Sequence, residues 1–177
     1  RYRFLKNIMG LWIIQEVSRN LDEKYSFAKL VELARQDQFA GIFDVNDERF
    51  LKPESMIFEI KQYFQERHET PPQTVGQIAS CVYHSLAYGY KKAIEELEMI
   101  TKQTYPVINI IGGGCQNQLL NEMIAEMTGK KVVAGPVEAT ALGNTLAQLI
   151  QQKVVNDLCE GRALIKKSFE MKEYKGE

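Results

Sequence analysis

Apolar residues crowd the first twenty positions, where Leu5, Ile8, Met9, Trp12, Ile13, Ile14 and Val17 fall around most of a helical circumference. That pattern predicts an opening helix covered on several sides. Ser26 can cap a second helix running to about Arg35. FDVNDERFLKPES, rich in Asp and Asn, predicts a loop, and a third helix is expected from about Pro53 to Gln65. HETPPQ then breaks the pattern. Thr74 and Gln77 stand at capping-box spacing, and Val75, Ile78, Val82, Leu86, Tyr90, Ala93, Ile94 and Leu97 recur at three and four residues. A helix of about 25 residues, about 40 Å long, is expected there.

The period changes after that helix. YPVINII is short, β-branched and apolar, the signature of a strand buried on both faces, and Gly112, Gly113 and Gly114 end it. Leu119, Leu120, Met123, Ile124 and Met127 return to helical spacing, KKVVA reads as a second strand, and Leu142, Leu146, Leu149 and Ile150 mark a further helix. Strand, helix, strand, helix implies a parallel pair with a crossover helix. From about Val154 to Glu177 the pattern predicts a helix followed by a charged, mobile end. The fold class is therefore α/β, helix-rich with a small sheet.

Composition narrows the function classes. A chain of 177 residues, 45% hydrophobic and 25% charged, suits one globular domain with a sizeable core. A net charge of −1 with interspersed signs argues against nucleic acid as a partner. Cys81, Cys115 and Cys159 are odd in number and widely spaced, as expected of reduced thiols in a cytoplasmic protein. Neither His68 nor His84 has a second ligand at metal-binding spacing, so no metal site is assigned. No apolar run is long enough to span a bilayer, and RYRFLK lacks the apolar core of a signal peptide. The segment beginning at Arg1 is already inside an apolar helical pattern, as expected of a chain cut from something longer.

The glycine triplet is the main chemical feature. Where a strand turns directly into a helix, glycines can take positive φ and leave the main chain uncovered for a flat or anionic ligand. A tight turn without a ligand is the simpler alternative. A dinucleotide fingerprint is disfavoured because the sixth position counted from Gly112 is Asn117 rather than glycine, and no lysine and hydroxyl of a phosphate loop follow the glycines. Asn117 suits either a purine or ribose edge or a helix cap. On an opening helix, Asn7 and Gln15 would lie about 80° apart around the axis and about 12 Å apart along it, with Gly10 near the same face. That stripe suits an extended ligand or two amides that satisfy buried loops. Ala139, Gly143 and Ala147 form a thin helical face expected to pack closely on a neighbour, and Glu138 stands where it would cap that helix. No residue is assigned as catalytic, because none of the carboxylates has a partner that singles it out.

The string GGGCQNQLLNEMIAEMTGKKVVAGPVEATALGN resembles the C-terminal domain of the FGGY carbohydrate kinases, and with RYRFLKNIMGLW the resemblance spans residues 1–152. Residues 153–177 would follow as a C-terminal helix and charged tail. The resemblance implies an actin-like ATPase (ribonuclease H-like) fold and transfer of phosphate from ATP, with Mg²⁺ assisting, to the 1-hydroxyl of L-rhamnulose. It places Gly113, flanked by Gly112 and Gly114, against the adenosine with Asn117 close by, and makes Asn7 and Gln15 further ATP contacts. The catalytic aspartate and the sugar pocket would lie in an N-terminal half, the partner of this domain. A nonenzymatic helical interaction domain and a dinucleotide-dependent enzyme are the rival readings, separated by whether ATP, nothing or NAD raises the melting temperature.

Overall fold

The computed structural model describes residues 4–176. The chain divides into two compact units, Arg1–Thr104 and Tyr105–Glu177.

The first unit is helical: α1 (Trp12–Asn20), α2 (Phe27–Gln36), α3 (Met56–Gln65) and α4 (Val75–Thr101). Each of the last three starts where the sequence supplies a cap. Ser26, Ser55 and Thr74 accept main-chain N–H bonds from Lys29, Phe58 and Gln77, which satisfies donors that a helix leaves orphaned at its start. α3 therefore begins at Met56, behind its cap Ser55, and not at Pro53. Asn20 at the end of α1 also accepts from the Ile57 N–H at 3.2 Å, tying α1 to the head of α3.

The opening helix is shorter than its apolar pattern predicts. Residues 4–10 are not helical, and α1 buries only the face of Ile13, Ile14, Val17 and Ser18. Leu5 is 84% exposed, so nothing in this unit offsets the cost of nucleating helix there. The Met9 N–H is instead committed to Asn46 Oδ1 at 3.1 Å.

α4 organises the unit. Its face from Gly76 to Ala87 is buried, and α2 lies directly across it. A side chain at Gly76 would place Cβ 2.7 Å from the Leu33 carbonyl oxygen and 2.8 Å from Asp37 Cβ, so glycine sets how closely the two helices approach. The segment between α2 and α3 is pinned to α4 by two buried hydroxyls: Ser80 accepts from the Phe39 N–H and Ser85 from the Phe43 N–H, each at 3.0 Å. Phe43 and Phe50, with ring centres 4.7 Å apart, are buried beneath it. Cys81 is buried on the same helix, and that burial pushes its thiol up to about 12 against a smaller opposing hydrogen bond with Ser85.

The second unit contains β1 (Val107–Ile110), α5 (Gln118–Thr128), β2 (Lys131–Ala134), α6 (Ala139–Gln151), α7 (Leu158–Ser168) and β3 (Lys172–Tyr174). β1 and β2 pair in parallel, Val107 opposite Lys131, with α5 as the crossover. The charged end is not loose as expected: β3 adds antiparallel to the other side of β2, Glu173 opposite Val133. The Lys131 ammonium, 2.7 Å away, holds the Glu173 carboxyl below its ordinary value. β1 is not buried on both faces. It stands at the sheet edge with Val107 40% exposed, because β2 is its sole strand neighbour among the described residues.

Two expectations for α6 also fail. Gly143 and Ala147 are exposed, and nothing lies within 4 Å of a Cβ built at Gly143, so that face packs on nothing in its unit. α6 docks instead through Leu146, which fills the space left by Gly161 of α7. Glu138 occupies the N-cap position, but its side chain accepts no capping hydrogen bond.

Candidate functional site

The glycine turn follows directly from the end of β1. Gly112 takes φ 74° and ψ −164°, a conformation that side chains with a Cβ all but exclude, and this reverses the chain. Its N–H donates to the Pro136 carbonyl at 3.3 Å, and its own carbonyl accepts from the Cys115 N–H at 3.1 Å. Gly113–Gln116 form a single 3₁₀ turn. The positive φ belongs to Gly112 alone among the three glycines. Nothing lies within 4 Å of a Cβ built at any of them, so the bared main chain faces open space rather than a packed neighbour. The second unit therefore presents an uncovered stretch of backbone at the carboxyl end of a parallel strand, the place where α/β sheets accept ligands.

Asn117 is the N-cap of α5. Its Oδ1 accepts from the Leu120 N–H at 3.0 Å, so the capping alternative is realised, while the Nδ2 donor remains for another partner. Behind the turn stands Asn121, which the sequence reading did not single out. It is fully buried, and its Nδ2 donates to the Cys115 carbonyl at 2.9 Å. The available signal was an amide on the apolar face of Leu119, Leu120 and Ile124, one helical turn after Asn117.

Asn7 and Gln15 belong to the first unit and do not share a helix. Asn7 lies in the nonhelical segment 4–10 and Gln15 on α1, so the predicted helical stripe of two amides does not exist. Both side chains are exposed, which also removes the alternative that they satisfy buried loops. A cleft of about 560 Å³ in this unit is lined in part by Lys6, Asp44, Asn46, Tyr88, Lys92 and Glu96, and neither amide is among its lining residues. Among the described residues no group of three or more His, Cys, Asp or Glu is placed to hold a metal ion, and no helix is long and apolar enough to cross a membrane. The three cysteines are free thiols, Cys81 and Cys115 buried and Cys159 exposed.

Comparison with known proteins converges on one family. The family model described as "FGGY family of carbohydrate kinases, C-terminal domain" matches residues 1–151. A rhamnulokinase of Halalkalibacterium halodurans is 51% identical over 174 residues, which are 98% of this chain and 37% of that protein. A rhamnulokinase of Oceanobacillus iheyensis is 48% identical with the same two coverages. A rhamnulokinase of Bacillus subtilis is 47% identical over 171 residues, 96% of this chain and 35% of the relative. The chain thus spans little more than a third of the length of these relatives.

Proposed function

Because the chain belongs to the FGGY family of carbohydrate kinases, we propose that it forms the nucleotide-binding C-terminal part of a rhamnulokinase. That enzyme transfers the γ-phosphate of ATP to the 1-hydroxyl of L-rhamnulose in the cytoplasm. The observation that carries the nucleotide assignment is the turn at Gly112–Gly114, bared toward open space at the end of a parallel strand and held by hydrogen bonds on its inner side. The actin-like, ribonuclease H-like fold is part of the same proposal, and the parallel β1 and β2 with their crossover α5 support it.

Phosphoryl transfer asks the protein for positioning and charge stabilisation more than for covalent chemistry. On this reading the turn receives the flat face of the adenosine against main-chain atoms, where any side chain would stand in the way. Asn117 Nδ2 donates to an acceptor on the base or ribose, its Oδ1 being engaged at the helix start. Asn7 and Gln15 remain nucleotide contacts by resemblance alone. Mg²⁺ when bound neutralises phosphate charge. The described residues offer no carboxylate set for it, and no step on this chain is routed through it. The catalytic base and the sugar pocket are assigned to the N-terminal part of the enzyme.

The test uses the full-length enzyme with ATP, Mg²⁺ and L-rhamnulose. Rhamnulose 1-phosphate should accumulate, and ADP but not NAD should raise the melting temperature. This chain by itself should give no product above a protein-free control. A full-length enzyme that is neither stabilised by ADP nor productive with rhamnulose refutes the reading.

A further inference from the structure

We infer that Asn121 is a positioning residue for the nucleotide, holding the glycine turn in its binding shape through the Cys115 carbonyl. The inference rests on the nucleotide reading of that turn. Asn121 is 0% exposed. Its Nδ2 donates to the Cys115 carbonyl at 2.9 Å, while its Oδ1 is buried with no hydrogen-bond partner. As a device for stability this is a poor choice. One net hydrogen bond gains no more than the orphaned Oδ1 costs, and what the amide secures is the Cys115 carbonyl, which an apolar side chain would leave without a partner. The reason for the amide lies in what its donor holds.

What it holds is the one buried residue of the turn. Cys115 is fixed on both sides, its N–H bonded to the Gly112 carbonyl at 3.1 Å and its carbonyl to Asn121. The three glycines before it have no side chains and no neighbours where a Cβ would stand, so contacts on the open side contribute nothing to their conformation. Glycine also has the most freedom to lose on ordering. The Asn121 amide supplies an anchor from the helix behind, and the turn enters binding already shaped. If the competent shape is populated only in part, the apparent affinity falls by that fraction. Removing the anchor should weaken nucleotide binding while leaving the chemical step alone.

The experiment uses the full-length enzyme with ADP as the probe. Asn121→Leu removes the donor together with the orphaned oxygen. Asn121→Thr is the second variant, since a threonine hydroxyl inside a helix can bond the carbonyl four residues back and leave Cys115 without a partner. Ile124→Val, on the buried face of the same helix, is the control for a loosened core. For both Asn121 variants the ADP dissociation constant and the ATP KM should rise about fivefold or more, with kcat within about twofold and melting at or below wild type, because the freed Cys115 carbonyl takes the place of the orphaned Oδ1. Ile124→Val should melt lower and bind ADP as wild type does. Wild-type affinity in both folded Asn121 variants overturns the inference and leaves the nucleotide reading standing. An equal loss of affinity in Ile124→Val also overturns it, because the effect would then be general loosening. Failure of the wild-type enzyme itself to bind ADP overturns the nucleotide reading and this inference with it.

Discussion

The three glycines at residues 112–114 are not equivalent, and separating them separates fold from ligand. At Gly112 the backbone sits at φ 74° and ψ −164°. An alanine forced into that region costs about 1–3 kcal/mol, although its Cβ would touch nothing. Gly113 carries no positive φ, starts a 3₁₀ turn and has open space where a Cβ would go. Alanine there should hold stability or raise it by about 0.4–1 kcal/mol, since the unfolded chain loses freedom and the folded chain gains no clash. For a unit of this size each kcal/mol moves melting by about 4–8 °C. Valine at Gly113 keeps the fold and fills the space assigned to adenosine. The ATP KM should rise about tenfold, equivalent to about 1.4 kcal/mol, with the rhamnulose KM little changed. The assay couples ADP release to a spectrophotometric readout in the full-length enzyme, alongside urea denaturation of Gly112→Ala, Gly113→Ala and Gly113→Val. A well-folded Gly113→Val enzyme with wild-type ATP kinetics would return the turn to a purely structural role. Equal destabilisation by Gly112→Ala and Gly113→Ala would refute the backbone argument.

Other consequences are open to the same kind of measurement. Gly76→Ala should lower stability by about 1–2 kcal/mol in urea titration despite alanine's better helix propensity, because its Cβ meets the Leu33 carbonyl and Asp37 Cβ, and unchanged stability would show that α2 yields freely. The buried Cys81 thiol, raised from about 9 to about 12, keeps its proton in the folded chain after the unfolded chain has released it. Its contribution is therefore full below about pH 9 and is lost as pH rises toward 12. Cys81→Ala should flatten that alkaline decline in denaturation curves at pH 8 to 10, and an unaltered slope contradicts the assignment. Gln15→Leu lies on an exposed position, so folding should be unaffected while ATP binding weakens by about 0.5–1.5 kcal/mol. Calorimetry giving wild-type affinity would remove Gln15 from the site.

Local signals were legible wherever one residue type answers one backbone need. Ser26, Thr74 and Asn117 each cap the helix that their spacing announced, and the β-branched runs at Val107 and Val132 pair in parallel as the intervening helix requires. Long-range demands were not legible. The apolar run through Leu5 and Ile8 looks helical, yet its Met9 N–H is claimed by Asn46, a residue far along the chain. Ser80 and Ser85 read as ordinary helix residues until the Phe39 and Phe43 amides are seen against them. Asn121 escaped notice because its task, accepted by Cys115, appears only after the turn folds back over α5. β3 was missed since three charged or half-buried residues carry no alternation strong enough to announce a strand without its partner.

That last strand bears on the order in which the second unit is made. The far edge of β2 stays unpaired until Lys172–Tyr174 has been synthesised, after the whole α6 and α7 hairpin. Gly176 then closes against the Ala125 carbonyl on α5. During translation β2 carries an open strand edge that any other nascent chain could join until β3 has emerged. The emergence of β3, rather than the appearance of the glycine turn, sets the moment at which the far edge of β2 is covered.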